Sequence, residues 1–202
     1  MASLKIGVLI SGSGTNLQAI IDACLDGRID GEVAVVISSY ERAYGLERAR
    51  KAQVPAVYID RTKFDHFSAY NHAIRKTLAD HAVNVVAMAG YMRLLGREVL
   101  GAYPERVINI HPALLPAFAG ASGIRDAFEY GVKVTGVTVH FANEEFDRGP
   151  IIAQEAVVIA EDDTLETLEA KVHEVEHRLY PTVLQWIAEE RVHVDGRVVH
   201  IR

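Results

Sequence analysis

Short, nearly unbroken apolar runs alternate along this chain with longer stretches in which apolar residues recur every three or four positions. The runs cover residues 4–10, 33–38, 56–59, 85–89 and 107–110 and are rich in Val and Ile. Continuous rather than alternating apolar runs predict strands covered on both faces, as in a parallel sheet. Between them, helical spacing predicts helices over 16–25, 44–52, 64–81 and 94–102. The β-α-β-α order specifies an α/β fold: an open, mostly parallel, Rossmann-like sheet with right-handed crossovers and helices on both faces.

After residue 130 the rhythm changes. Runs at 134–142 and 151–159 follow one another without a helical pattern between them, which predicts a hairpin-like, antiparallel C-terminal extension of the sheet. A long helical segment is expected over 164–190, interrupted at Tyr180-Pro181 because proline lacks an N–H and disfavours helix before it. Asp195-Gly196, between two short apolar runs, predicts a tight hairpin. No Pro/Gly/Ser-rich linker or repeat divides residues 1–202, so a single domain is expected.

One strand ends unusually. In Arg106-Val107-Ile108-Asn109-Ile110-His111-Pro112, residues 109 and 111 point to the same face, and Pro112 stops the ladder. An apolar strand has no packing reason to finish with an amide and an imidazole side by side. Chemistry does: an uncharged donor can hold an oxygen, and an imidazole can change charge near neutral pH. The turn 143–150 offers Glu144, Glu145 and Asp147 as a carboxylate that would favour imidazolium at His111 and orient it. His140 lies on a strand near this group, either as a supporting contact or as plain sheet packing.

The first strand runs into Ser11-Gly12-Ser13-Gly14-Thr15-Asn16, ahead of a helix. Glycines let backbone N–H groups approach an anion, and the helix N-terminus adds a favourable dipole. Thr15 or Asn16 is the expected N-cap. A dinucleotide fingerprint would need glycine at Leu17 and an acid after the second strand, where Ser38-Ser39 stand. A Walker A loop would need Gly-Lys-Ser/Thr. What remains is a site for one phosphate, such as that of a sugar phosphate, or a tight turn that binds nothing.

Charge and cysteine content narrow the setting. The net charge of −6 provides no basic footprint for nucleic acid. Cys24 is the sole cysteine, which excludes an internal disulfide and fits a reducing compartment. Residues 1–5 show no signal-peptide pattern, and no stretch approaches the roughly 20 apolar residues of a membrane span. A cytoplasmic protein is expected. His173-Glu174-Val175-Glu176-His177 matches the H-E-x-x-H zinc motif. The apolar stripe of its helix, however, runs through Leu165, Leu168, Val172, Val175 and Leu179. Both histidines then fall toward solvent, Glu176 borders the stripe, and no third ligand follows, so no metal is expected.

In order, the segments 10–18, 45–49 (Gly-Leu-Glu-Arg-Ala), 89–93 (Ala-Gly-Tyr-Met-Arg), 109–116, 147–150 (Asp-Arg-Gly-Pro) and 176–181 (Glu-His-Arg-Leu-Tyr-Pro) resemble the phosphoribosylglycinamide formyltransferases over almost the whole chain. That family comprises folate-dependent enzymes of purine synthesis. The resemblance implies transfer of a formyl group from the cosubstrate 10-formyltetrahydrofolate to the amine of glycinamide ribonucleotide, without a metal. It implies Asn109, His111 and Asp147 as the catalytic set. Gly14, Thr15, Asn16 and Leu17 would hold the substrate phosphate, and Glu176 its ribose or glycinamide part. Met92, Arg93, Leu94 and Leu95, with Asn143, would line the folate pocket. The implied partners are small molecules, with no nucleic acid or membrane, for a monomer or homodimer.

Two positions depart from the family pattern. Phe118-Ala119-Gly120-Ala121-Ser122-Gly123 replaces a Phe-Pro-Gly and histidine-containing stretch, which predicts a looser loop. Phe67 stands where some members carry a basic residue that reaches the folate tail. Among related enzymes, methionyl-tRNA formyltransferase would need a basic tRNA-binding extension and formyltetrahydrofolate hydrolase a further N-terminal domain. A non-catalytic sugar-phosphate sensor would keep the glycine loop without needing Asn109, His111 and an acid together.

Overall fold

The structure, a computed structural model, describes residues 3–202, so Met1 and Ala2 of the leading segment lie outside the described residues. Seven strands form one sheet: β1 (Leu4–Ile10), β2 (Gly31–Ser38), β3 (Ala56–Tyr58), β4 (Val85–Met88), β5 (Val107–His111), β6 (Val134–Phe141) and β7 (Ile151–Val158). Their order is β3-β2-β1-β4-β5-β6-β7. The first five pair in parallel, whereas β5–β6 and β6–β7 are antiparallel. The order reverses at β1, so a crevice opens at the carboxyl ends of β1 and β4, where open α/β sheets bind ligands.

The helices are α1 (Thr15–Leu25), α2 (Tyr44–Lys51), α3 (Phe67–Asp80), α4 (Arg97–Leu100), α5 (Gly123–Tyr130) and α6 (Leu165–Ala188). One face of the sheet packs on α1, α2, α5 and α6, the other on α3 and α4. Successive strand residues therefore enter opposite cores: Val8 and Ile10 join the first, Leu9 the second. This double burial is why the strands read as unbroken apolar runs. A separate hairpin, β8 (Val192–Asp195) and β9 (Val198–Ile201), turns through Gly196 at φ 60°. Among the described residues no helix is long and apolar enough to cross a membrane.

Four expectations change. The helix expected over 94–102 is a single turn, because Gly96 caps it and Leu94 and Leu95 line a pocket instead. The helix expected from 64 starts at Phe67, after a 3-10 turn over Arg61–Lys63 capped by Asp60. Helix α5 leaves no pattern in the sequence: it is short, and only Gly123, Ile124 and Ala127 of it are buried, too few to show a period. Pro181 does not interrupt α6, which runs through it to Ala188. An interior proline costs about 3 kcal/mol locally. Here Leu179, Tyr180, Val183 and Leu184 are buried around it, and that packing offsets the lost bond.

Tyr180 also ties the sheet together beneath the crevice. Its hydroxyl shares its one hydrogen between the carbonyls of Met88 (3.1 Å) and Ile108 (2.9 Å), on adjacent strands. Burial pushes this phenol well above its ordinary range, which keeps it a donor. Tyr180→Phe would leave both carbonyls short of a partner, so urea denaturation is expected to show a loss of about 1–3 kcal/mol.

Candidate active site

Strand β5 outlasts its parallel neighbour. Its register with β4 ends at Met88↔Asn109, while pairing with β6 continues to His111↔Thr138. Beyond Asn109 the strand therefore has a free side, and the Asn109 and His111 side chains project into the opening. Asp147 meets them from the turn between β6 and β7. A Cβ on Gly149 would fall on the Phe141 carbonyl oxygen, so only glycine lets that turn press against the end of β6. Asp147 itself adopts the left-handed conformation, at φ 54°.

One carboxylate gathers the group. Asp147 Oδ2 accepts the Gly120 N–H at 2.9 Å, and Oδ1 accepts Asn109 Nδ2 at 3.3 Å. His111 Nδ1 lies 3.4 Å from Oδ2 and His140 Nε2 3.6 Å from Oδ1. The His111 and Asp147 side chains are 5% and 6% exposed. Burial alone would raise the Asp147 carboxyl. Contacts with the His140 ring, the Gly120 N–H and the His111 ring outweigh burial and hold it below the usual carboxylate range. Of the three acids in the turn, only Asp147 does this. Glu144 is exposed, and Glu145 lies 3.9 Å from Arg148 at the surface.

The remaining donors are also engaged. His111 Nε2 donates to the Phe118 carbonyl at 2.8 Å, so both ring nitrogens face acceptor oxygens. Asn109 Nδ2 lies 3.2 Å from His140 Nε2, whose Nδ1 faces the Phe141 carbonyl at 2.9 Å. His140 is thus a supporting contact of Asn109. The 118–123 loop, expected to be loose, is pinned here through Phe118 and Gly120.

Across the crevice, Gly14 is the N-cap of α1, at φ 72°, and no side chain caps the helix. This replaces the expected Thr15 or Asn16 cap. Thr15 is already helical, and Asn16 Nδ2 instead donates to Glu176 Oε2 at 3.1 Å. The N–H groups of the first turn are consequently open to an anion. Helix α2 braces the loop, with Gly45 N–H on the Gly12 carbonyl (3.1 Å) and Arg48 Nε on that of Ser13 (2.9 Å). Glu176 Oε2 accepts a second bond, from His173 Nδ1 at 2.8 Å. That bond, working against partial burial, raises the pKa of His173. Asn16 Oδ1 is buried without a hydrogen-bond partner.

A cavity of about 470 Å³ connects the two groups. It is lined by Gly14, Thr15, Asn16, Met92, Asn109, His111, Asp147 and Glu176, all expected at the site. A narrow side pocket of about 20 Å³ holds Arg93, Leu94, Leu95 and Asn143 against Asn109 and Asp147. Leu17 is the exception: its side chain is fully buried in the core, and only its backbone stands at the helix start. The helical wheel turns His173 toward solvent; its side chain is half-exposed and also lines the cavity, one turn before Glu176. Its spacing of three from Glu176 was the available signal. His177 stacks on it at 6.1 Å rather than converging with it on a common point.

Comparisons with known proteins identify the family of the chain. The formyl transferase family model matches residues 4–184. The chain is 42% identical over 181 residues to phosphoribosylglycinamide formyltransferase of Bacillus subtilis, covering 90% of this chain and 93% of that protein. The crystal structure of glycinamide ribonucleotide transformylase 1 from Symbiobacterium toebii superposes with a TM-score of 0.96 at 51% identity, covering 98% of this chain and 94% of that one. A formyltetrahydrofolate deformylase from Pseudomonas syringae pv. tomato superposes with a TM-score of 0.90 at 26% identity, covering 99% of this chain and 66% of that one.

Proposed function

The chain belongs to the formyl transferase family, and from that premise we propose that it transfers the formyl group of 10-formyltetrahydrofolate to the amine of glycinamide ribonucleotide, in purine synthesis. The observation that carries this reading is the Asn109–His111–Asp147 group, set at one side of a cavity whose other side is an open helix N-terminus. The phosphate sits on the N–H groups of residues 14–17. Glu176 and the unpartnered Asn16 Oδ1 face the ribose or glycinamide portion. The folate lies along residues 92–95 and Asn143.

The substrate amine attacks the formyl carbon, and negative charge grows on the formyl oxygen. Asn109 meets that oxygen by giving up one of its long bonds of 3.2 and 3.3 Å. The oxygen also replaces the Phe118 carbonyl as the acceptor for His111 Nε2. Asp147, ionised and buried, balances the charge on the doubly protonated ring. A proton passes from the attacking nitrogen to the departing folate nitrogen, through water. The acidic net charge and single cysteine suit a cytoplasmic enzyme of small substrates, monomeric or homodimeric.

The test is to mix the protein with both substrates and follow tetrahydrofolate. Release that requires glycinamide ribonucleotide, with formylated product, is the expected result. Equal release without it would mean that water is the acceptor, as in a deformylase, and no release would remove the enzyme reading. Asn109→Ala is expected to lower kcat roughly a hundredfold, through about 3 kcal/mol of lost oxyanion stabilisation. Wild-type turnover in that variant would take Asn109 out of the reaction.

A further inference from the structure

Between β4 and α4, residues 91–96 form no helix or strand, yet Tyr91 and Leu95 are 5% and 3% exposed. With Met92 exposed between its two buried ends and no backbone ladder, this segment must be held by other hydrogen bonds. Two come from successive residues of α3. The Tyr70 and Tyr91 hydroxyls meet at 2.8 Å, and the Gly96 N–H donates to Asn71 Oδ1 at 2.7 Å. Asn71 is fully buried, and its Nδ2 donates to the Phe67 carbonyl at 2.9 Å. That second bond turns Oδ1 toward Gly96. The third bond, Met92 N–H to Ser11 Oγ at 2.9 Å, comes from the glycine loop.

We propose that α3 sets the wall of the formyl-donor pocket, with Tyr70 and Asn71 as positioning residues for folate binding. This rests on the reading of residues 92–95 as the folate wall. Neither residue lines the cavity, so each acts through the segment it holds. Both bonds leave the glycine loop alone, so the effect falls on one substrate. Ser11 touches both sides, and Ser11→Ala is expected to shift both.

The test is steady-state kinetics with each substrate varied in turn. Asn71→Leu is expected to raise KM for 10-formyltetrahydrofolate roughly tenfold, as the Gly96 N–H loses its acceptor and the Phe67 carbonyl its side-chain donor. KM for glycinamide ribonucleotide should stay within about twofold of wild type. Tyr70→Phe, which removes a single oxygen, should shift folate in the same direction and serves if Asn71→Leu does not fold. Leu78→Val, on the same helix, controls for destabilisation and should leave the ratio of the two KM values unchanged. Both KM values rising together in Asn71→Leu and Tyr70→Phe, or neither moving, overturns the proposal. If Leu94→Ala leaves folate KM unchanged, or wild type needs no folate, the underlying reading of the wall falls, and the proposal with it.

Discussion

His111→Ala is expected to lower kcat by about three orders of magnitude while the protein remains folded. The ring combines two effects. In the proposed mechanism it offers a hydrogen bond to the oxygen that gains charge and, 3.4 Å from the Asp147 carboxylate, a positive charge beside it. Loss of one oxyanion donor alone is worth 10²–10³ in rate, and the charge places this residue at the upper end. The same loss should appear in kcat/KM, because the interaction develops in the transition state. Asp147→Asn should cost less, roughly a hundredfold, since His111 Nε2 keeps its hydrogen while the balancing charge is gone. The double variant should be little worse than His111→Ala, because the two act as a unit. Because Asp147 titrates below the usual carboxylate range, its protonation should not shape the pH–rate profile above about pH 4. An acid limb that vanishes in Asp147→Asn would contradict this, and kcat within tenfold of wild type in His111→Ala would remove the ring from the reaction.

Gly14→Ala is expected to raise KM for glycinamide ribonucleotide by well over tenfold and to lower thermal stability. Two physical terms add. At φ 72° an L side chain costs about 1–2 kcal/mol. The new Cβ would also stand 2.7 Å from the Gly45 Cα, which is backbone. Gly45 cannot easily retreat, because its N–H is bonded to the Gly12 carbonyl. The helix start must then move away from the position that presents its N–H groups. Gly12→Ala is the control: a Cβ there meets nothing within 4 Å, and its φ is not left-handed. It should bind glycinamide ribonucleotide almost as wild type does. KM for the folate should change little in either variant. Equal behaviour of the two variants would mean that the loop does not hold the phosphate.

The fold was largely legible along the chain because burial on both faces leaves a one-dimensional trace. The β1, β2, β4 and β5 runs are apolar for that reason, and their ends were found within two residues. Elements whose stability lies in distant contacts left no such trace. Helix α5 is too short for a period, and α6 passes Pro181 only because the core packs around it. Leu94 and Leu95 look helical, but Asn71 holds the Gly96 N–H where the short helix begins and leaves them to a pocket wall.

At the site the division is similar. Spacing by itself determined that Asn109 and His111 share a face, since strand geometry alternates side chains whatever surrounds them. It likewise determined that a glycine loop precedes a helix at the end of the first strand. Which of three acids reaches His111 was a tertiary matter, decided by the turn that Gly149 allows. So was the cavity that His173 borders beside Glu176, which a helical wheel cannot show. Local geometry repeats along a chain and can be read from it. A contact between residues far apart in sequence, such as Asn16 on Glu176, exists only once packing has brought them together.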